Sequence, residues 1–130
     1  MWGCFVIPAQ RLARLPGCWR GGMRYRLSPA HPWTRYEGDD ASDGDGNPCR
    51  ESEPTMRSPL VQIDLTDPAT AGCLAAWARE AYGDPNLHAA PTGARWQIRT
   101  GGWRRRPAVA EGPTEGGAWA AAIIAKLEQP

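Results

Sequence analysis

Acidic side chains are concentrated in one short stretch of the chain, where their spacing invites comparison with a calcium-binding loop. The stretch covers residues 39–47 and contains four aspartates. A helix–loop–helix calcium site needs oxygen ligands at loop positions 1, 3, 5 and 12 and glycine at position 6. Placing Gly46 at position 6 leaves Ala41 at position 1 and Ser52 at position 12. The spacing therefore favours a solvated acidic linker over a cation site.

Arginine side chains form the second group with binding chemistry. Polar and apolar residues alternate over residues 95–100, as in a half-buried strand, and Gly101-Gly102 suits a two-residue hairpin turn. A return strand over residues 103–109 would pair Thr100 with Trp103. One face of this hairpin would then carry four arginines: Arg95, Arg99, Arg104 and Arg106.

This arginine face has two interpretations. A phosphate backbone could lie against it, which makes nucleic acid a candidate partner. The alternative is an ordinary solvated sheet face, which the nearly neutral charge of residues 56–130 favours. The opposite face would carry the apolar side chains of the hairpin: Trp96, Ile98, Trp103 and Val109.

The sequence gives little basis for catalysis or for a metal site. His88 has no acidic residue at a spacing that would orient it, so we expect a surface or packed residue rather than a general base. The cysteines, Cys4, Cys18, Cys49 and Cys73, form no CxxC pair, and Cys73 is expected to be a small buried side chain. We therefore expect a protein that is not an enzyme and that carries no cofactor.

Charge divides the chain into blocks. Residues 1–36 carry six arginines and no acidic residue, whereas residues 37–55 carry seven acidic residues and one arginine. Neither block has the hydrophobic periodicity of a helix or strand. The sequence therefore predicts a disordered basic arm over residues 1–36, an acidic disordered linker over residues 37–57 and a small α+β domain over residues 58–130.

The basic arm is open to three interpretations. Its arginines and aromatic residues would suit a segment that grips phosphates and stacks bases. Its lack of periodicity also fits a plain disordered tail. The third interpretation is unconstrained translation of GC-rich codons, with Met56 as an alternative start. No stretch reaches the ~18 apolar residues of a membrane span, and the first apolar run is too short for a secretory signal, so we expect a cytoplasmic protein.

Two amphipathic helices frame the domain. Asp67 can cap a helix that begins at Pro68, and Gly83 followed by Pro85 ends it after Tyr82. Thr114 is the expected cap of a second, alanine-rich helix. With the strands between them, these helices predict a small two-layer α+β module, in which both helices cover one face of a short antiparallel sheet.

The order helix, short strands, helix, with Trp96-Gln97-Ile98 at its centre and Gly112-Pro113-Thr114-Glu115 before the last helix, resembles small phage-borne α-β-α sandwich proteins of unknown function. The resemblance covers residues 65–127 and implies a fold order and a mobile-element origin, but no site residues. We expect a non-catalytic interaction or structural module. It would bind a second copy or another protein through an edge strand, residues 87–90 or the strand containing Pro107. The alternative is a nucleic-acid-binding accessory protein that uses the arginine face and the basic arm.

Overall fold

In a computed structural model, which describes residues 7–15, 18–100 and 107–127, the chain divides into two units, Met1–Asp64 and Leu65–Pro130. Its described residues form three α-helices and two antiparallel sheets of three short strands each. The predicted α+β class is confirmed. The division between the units lies further along the chain than the predicted start of the folded domain at residue 58.

The first unit contains one helix and one sheet. Helix α1 is Ile7–Arg14, and the strands are β1 (Arg24–Arg26), β2 (Thr34–Arg35) and β3 (Gln62–Ile63). Strand β1 lies in the centre and pairs antiparallel with β2 and β3. Two 3₁₀ turns, Gly38–Asp40 and Pro54–Met56, lie in the connection between β2 and β3.

Aromatic rings hold the first unit together. Trp19 packs edge-on against Tyr25 and Tyr36, with 5.5 Å between ring centroids in each pair, and donates its indole N–H to the carbonyl of Ala13 at 3.0 Å. Met23 is fully buried in the same core. Edge-on aromatic pairs add stabilisation beyond that of the buried area, so a few large rings make a core without long elements.

The described residues of the first unit form a helix, strands and turns where the sequence predicts a disordered arm and linker. The reason is the length of the strands: two or three residues are too few to show an alternating pattern. The core is built instead from rings spaced irregularly along loops. Hydrogen bonds then join distant loops, as when Ser58 donates to the carbonyl of Leu27 at 2.8 Å.

Helix α2 of the second unit, Pro68–Tyr82, begins and ends where the sequence predicts. The Asp67 carboxylate accepts bonds from the backbone N–H of Thr70 at 3.0 Å and from its hydroxyl at 2.9 Å. Gly83 ends the helix with φ of 64°, a left-handed conformation that glycine adopts without steric cost. Cys73 is half-buried rather than buried, because it lies at the border of the apolar face.

The second sheet has the order β4-β5-β6, formed by His88–Thr92, Arg95–Arg99 and Ala110–Gly112. Strands β4 and β5 are joined by a tight turn in which Gly93 has φ of 62°. Strand β5 also pairs with β6, with Ile98 opposite Ala110.

This register differs from the predicted hairpin. The predicted pairing of Thr100 with Trp103 would place Arg105 opposite Ile98, whose side chain is fully buried. In the structure Ala110 occupies that place, so an apolar side chain rather than a charge lies opposite Ile98. The predicted turn and most of the predicted return strand, residues 101–106, lie outside the described residues.

Helix α3, Glu115–Leu127, packs against α2 and against the strands of the second sheet. Its predicted cap is confirmed: the Thr114 hydroxyl accepts the backbone N–H of Gly117 at 2.9 Å and donates to the carbonyl of Leu65 at 3.1 Å. The main helix contacts of the sheet come from α3, whereas the sequence predicted that both helices cover it. Alanine and glycine on several sides of α3 allow it to pack against both α2 and the sheet, because small residues let neighbouring backbones approach closely. The buried members of α3 are Gly116, Ala118, Trp119, Ala120, Ala122 and Ile123.

Candidate binding surfaces

The outer face of strand β5 contains the part of the predicted arginine face that the structure describes. Arg95, Gln97 and Arg99 alternate along this face, and Glu111 of β6 lies opposite Gln97. Arg104 and Arg106 lie outside the described residues. The structure therefore brings two of the four predicted arginines together and adds a carboxylate that the predicted register did not place there.

Polar contacts link this face across the strands. The Glu111 carboxylate accepts from Gln97 Nε2 at 2.8 Å and lies 3.6 Å from Arg95 Nε, while Arg99 donates to Gln97 Oε1 at 2.9 Å. Arg95 and Glu111 are about half exposed, so their ion pair contributes little to stability. It does halve the positive charge that this face offers to a phosphate.

Strand β4 is an edge strand of this sheet, as the sequence predicts for residues 87–90. The carbonyl of Ile98 accepts from Val109, so it points towards β6 and away from β4. Its partner in β4, Ala89, therefore points its own N–H and C=O outward, and the C=O of Pro91, two residues later, also points outward. Pro91 has no N–H to lose at this position, which explains a proline within a strand. Of these two outward-pointing residues, only Ala89 offers a donor to a partner strand.

The first sheet carries a second arginine face, which the predicted site did not include. Arg24 and Arg26 alternate with the buried Tyr25 along β1, and Arg35 of β2 pairs with Arg24. Trp33 precedes β2, and the guanidinium carbons of Arg26 and Arg24 lie 4.3 and 5.8 Å from its ring centroid. We call these four residues, Arg24, Arg26, Trp33 and Arg35, the arginine–tryptophan face.

Neighbouring groups fix these side chains in place. Arg26 donates through Nε to Gln62 Oε1 at 2.9 Å, and Arg35 donates to the carbonyl of Gly22 at 2.8 Å. Arg24 Nη1 lies 3.6 Å from the buried carboxylate of Asp64. Stacking on Trp33 adds a cation–π contact to this arrangement. The side chains are thus held in position before a ligand arrives, which lowers the entropy cost of binding.

A small pocket of 140 Å³ lies beside this face and is lined by Tyr25, Arg26, Leu27, His31, Pro32, Thr34 and Arg57. Arg57 Nη2 donates to the Tyr25 hydroxyl at 2.5 Å, and the guanidinium lies 5.6 Å from the Tyr25 ring centroid. Glu51 is not among the lining residues; its carboxylate lies 3.5 Å from the same Arg57 nitrogen. The His31 ring is held through Nδ1, 2.6 Å from the Ser28 hydroxyl. The pocket thus collects two guanidinium groups and an imidazole.

The acidic stretch forms a backbone turn rather than a ligand shell. Asp43 Oδ1 accepts the backbone N–H groups of Asn47 and Asp45, each at 2.9 Å. These bonds stabilise the carboxylate and hold the pKa of Asp43 below its ordinary value. Among the described residues, no group of three or more His, Cys, Asp or Glu side chains is placed to hold a metal ion.

His88 is exposed at the start of β4, where its Nδ1 lies 3.1 Å from the carbonyl of Asn86. The sequence prediction of a surface or packed residue agrees with this position. His31 and Arg57 are candidate binding residues that no sequence pattern singled out. Trp33 belongs to the basic arm, for which phosphate binding and base stacking were one interpretation. The alternation of arginine and tyrosine over residues 24–26 was the one available signal for a strand here, and it is too short to stand alone.

Comparisons with known proteins assign this chain to no family. No family model, no curated protein and no solved structure matches it. The resemblance to phage-borne α-β-α sandwich proteins stays a prediction. Within the described parts of the chain, no helix combines the length and apolar character needed to cross a membrane.

Proposed function

We propose that this protein is a non-catalytic cytoplasmic binding protein whose arginine–tryptophan face takes the backbone of a single-stranded nucleic acid. The observation that carries this proposal is the placement of three arginines and Trp33 on one side of the first sheet. This proposal keeps the nucleic-acid alternative raised by the sequence and moves its principal site from the second sheet to the first.

The physical argument rests on charge and on an aromatic ring. Guanidinium groups neutralise phosphates, and the release of counterions drives association. An aromatic ring beside such groups adds stacking with bases, which is tolerant of sequence. The face on β5 is a weaker candidate, because Glu111 offsets one of its two described arginines, whereas Asp64, at the same 3.6 Å from Arg24, offsets one of three on the first sheet.

Binding of a labelled single-stranded oligonucleotide at several salt concentrations tests the proposal. We expect the double variant Arg26→Gln/Arg35→Gln to weaken binding. It should also flatten the logarithmic salt dependence by about 1.4, because each phosphate that is no longer neutralised reduces that slope by about 0.7. The matched control, Arg95→Gln/Arg99→Gln, removes the same charge from the β5 face and should change binding little. Equal losses in the two variants, or binding that does not respond to salt, would contradict the proposal.

Self-association through β4 is a second candidate, favoured by the outward N–H and C=O of Ala89. Two copies joined at this edge would share few hydrogen bonds, because Pro91 supplies no donor. A dimer of this kind predicts a melting temperature that rises with protein concentration. A melting temperature that stays constant over a hundredfold range of concentration would remove this candidate.

A further inference from the structure

The pocket lined by Arg26, His31 and Arg57 has the composition of an anion site. We propose that it binds a terminal phosphate group, a phosphate monoester at the end of a nucleic-acid strand. The pocket is distinct from the arginine–tryptophan face, although Arg26 belongs to both. The assignment of a nucleic acid as the source of the phosphate rests on the proposed function, whereas the preference for a phosphate rests on the pocket alone.

The charges around the pocket favour an anion. Its lining includes two arginines and a histidine and, of the described residues, neither an aspartate nor a glutamate. The Glu51 carboxylate lies 3.5 Å from Arg57 Nη2, so it offsets part of the positive charge of Arg57. Arg26 adds a second guanidinium charge, and His31 adds a polar imidazole ring to the lining. A phosphate monoester carries about −1.5 to −2 charges near neutral pH and complements this set better than a carboxylate does.

Hydrogen-bond donors remain for a ligand beyond those used within the protein. Among the described residues, Arg26 uses Nε for Gln62, and Arg57 uses Nη2 for Tyr25 and Glu51. A guanidinium has five N–H donors in a planar fork, which suits the oxygens of a phosphate. The Thr34 side chain adds a hydroxyl to the lining.

The number of charged oxygens separates a terminal phosphate from an internal one, and the pocket has room for either group. A volume of 140 Å³ corresponds to about five water molecules at the ~30 Å³ that each occupies in the liquid, enough for one phosphate with some of its hydration. An internal diester continues in two directions and exposes two oxygens that bear charge, whereas a monoester presents three. The pocket therefore predicts a preference for the end of a strand.

The test uses the full chain and three versions of one short single-stranded oligonucleotide: with a 5′ phosphate, with a 3′ phosphate and with hydroxyls at both ends. We expect one of the phosphorylated forms to bind roughly tenfold or more tightly than the hydroxyl form, as for a charge-assisted hydrogen-bond pair. Arg57→Gln should abolish this preference, so that the phosphorylated and hydroxyl forms bind the variant with equal affinity. Circular dichroism checks that the variant is folded.

His31→Gln provides a second variant, because His31 is exposed and its loss does not disturb the core. It should reduce the same preference. Arg50→Gln, an exposed arginine outside the lining, is the matched control and should keep the preference. Equal affinities for all three oligonucleotides, or a preference that survives both pocket variants, would overturn the proposal.

Inorganic phosphate separates this proposal from the proposed function. If no oligonucleotide binds but phosphate shifts the amide resonances around the pocket, and Arg57→Gln removes the shift, the anion site stands and the nucleic-acid function fails. If phosphate produces no shift either, both fail. Tighter binding of a phosphoserine peptide than of the phosphorylated oligonucleotide would overturn the assignment of the phosphate to a nucleic acid.

Discussion

Gly116 marks the point where the start of α3 approaches the backbone of Leu65. A β-carbon at Gly116 would overlap the carbonyl oxygen of Leu65. Gly112, at the end of β6, has a similar constraint, since a β-carbon there would lie 2.5 Å from the backbone nitrogen of Ala118. These obstacles are backbone atoms, which cannot rotate away as a side chain would. Glycine at both positions therefore sets how closely β6, α3 and the residues before α2 pack.

Replacing Gly116 tests this close approach. We expect Gly116→Ala to lower the free energy of unfolding by about 2–3 kcal/mol, because the helix must shift to relieve the overlap. Gly72→Ala in α2 is the matched control, since a β-carbon there meets nothing within 4 Å. It should raise stability by about 0.5–1 kcal/mol through helix propensity. Urea unfolding of both variants measures the two effects, and the same sign for both would contradict the explanation.

At the scale of elements, the second sheet shows what local pattern can and cannot predict. The caps at Asp67 and Thr114 each bond to a backbone N–H three residues further along the chain. Because the signal is local, both caps were predictable from the sequence. The register of β5 and β6 was not, because a Gly-Gly pair gives a strong turn signal wherever it occurs. Choosing the right partner for Ile98 required the comparison of Arg105 with Ala110 over a longer connection.

The edge of β4 yields a prediction about association. Pro91→Val would add an outward N–H beside the groups of Ala89, and we expect it to increase dimer formation or aggregation. Thr92→Val is the matched control: it also adds a β-branched apolar residue, but the backbone N–H of Thr92 points towards β5. Sedimentation over a range of concentrations measures the difference. Equal association by the two variants would show that apolar character, not the added donor, is responsible.

At the scale of the whole molecule, the two units differ in how far their sequence reveals them. The second unit has long helices with caps and periodic apolar residues, so its fold class was predictable. The first and last residues of helix α2 were predictable as well. The first unit has two- and three-residue strands and a core of scattered rings, which leave no periodic signal. The arginines and aromatic residues of the basic arm were predictable as candidate binding residues, but their arrangement on one face was not, because it depends on pairings that only the folded first unit creates.

The second unit should fold without the first. We expect a fragment of residues 64–130 to show helical circular dichroism and a cooperative thermal transition, because the buried side chains of α2, α3 and β5 belong to the same unit. A fragment of residues 68–130 lacks Leu65 and the cap at Asp67 and should be less stable by about 1–2 kcal/mol. Absence of a cooperative transition in the longer fragment would contradict this expectation.

The central position of β1 in the first sheet has a consequence for any chain that begins at Met56. A product initiated at Met56 would retain β3 and all of the second unit but would lack β1 and β2. It would therefore lose Trp33 together with Arg24, Arg26 and Arg35, while keeping the helices and strands that follow. Comparison of the full chain with a chain that begins at Met56 would therefore separate the contribution of the arginine–tryptophan face from that of the second unit.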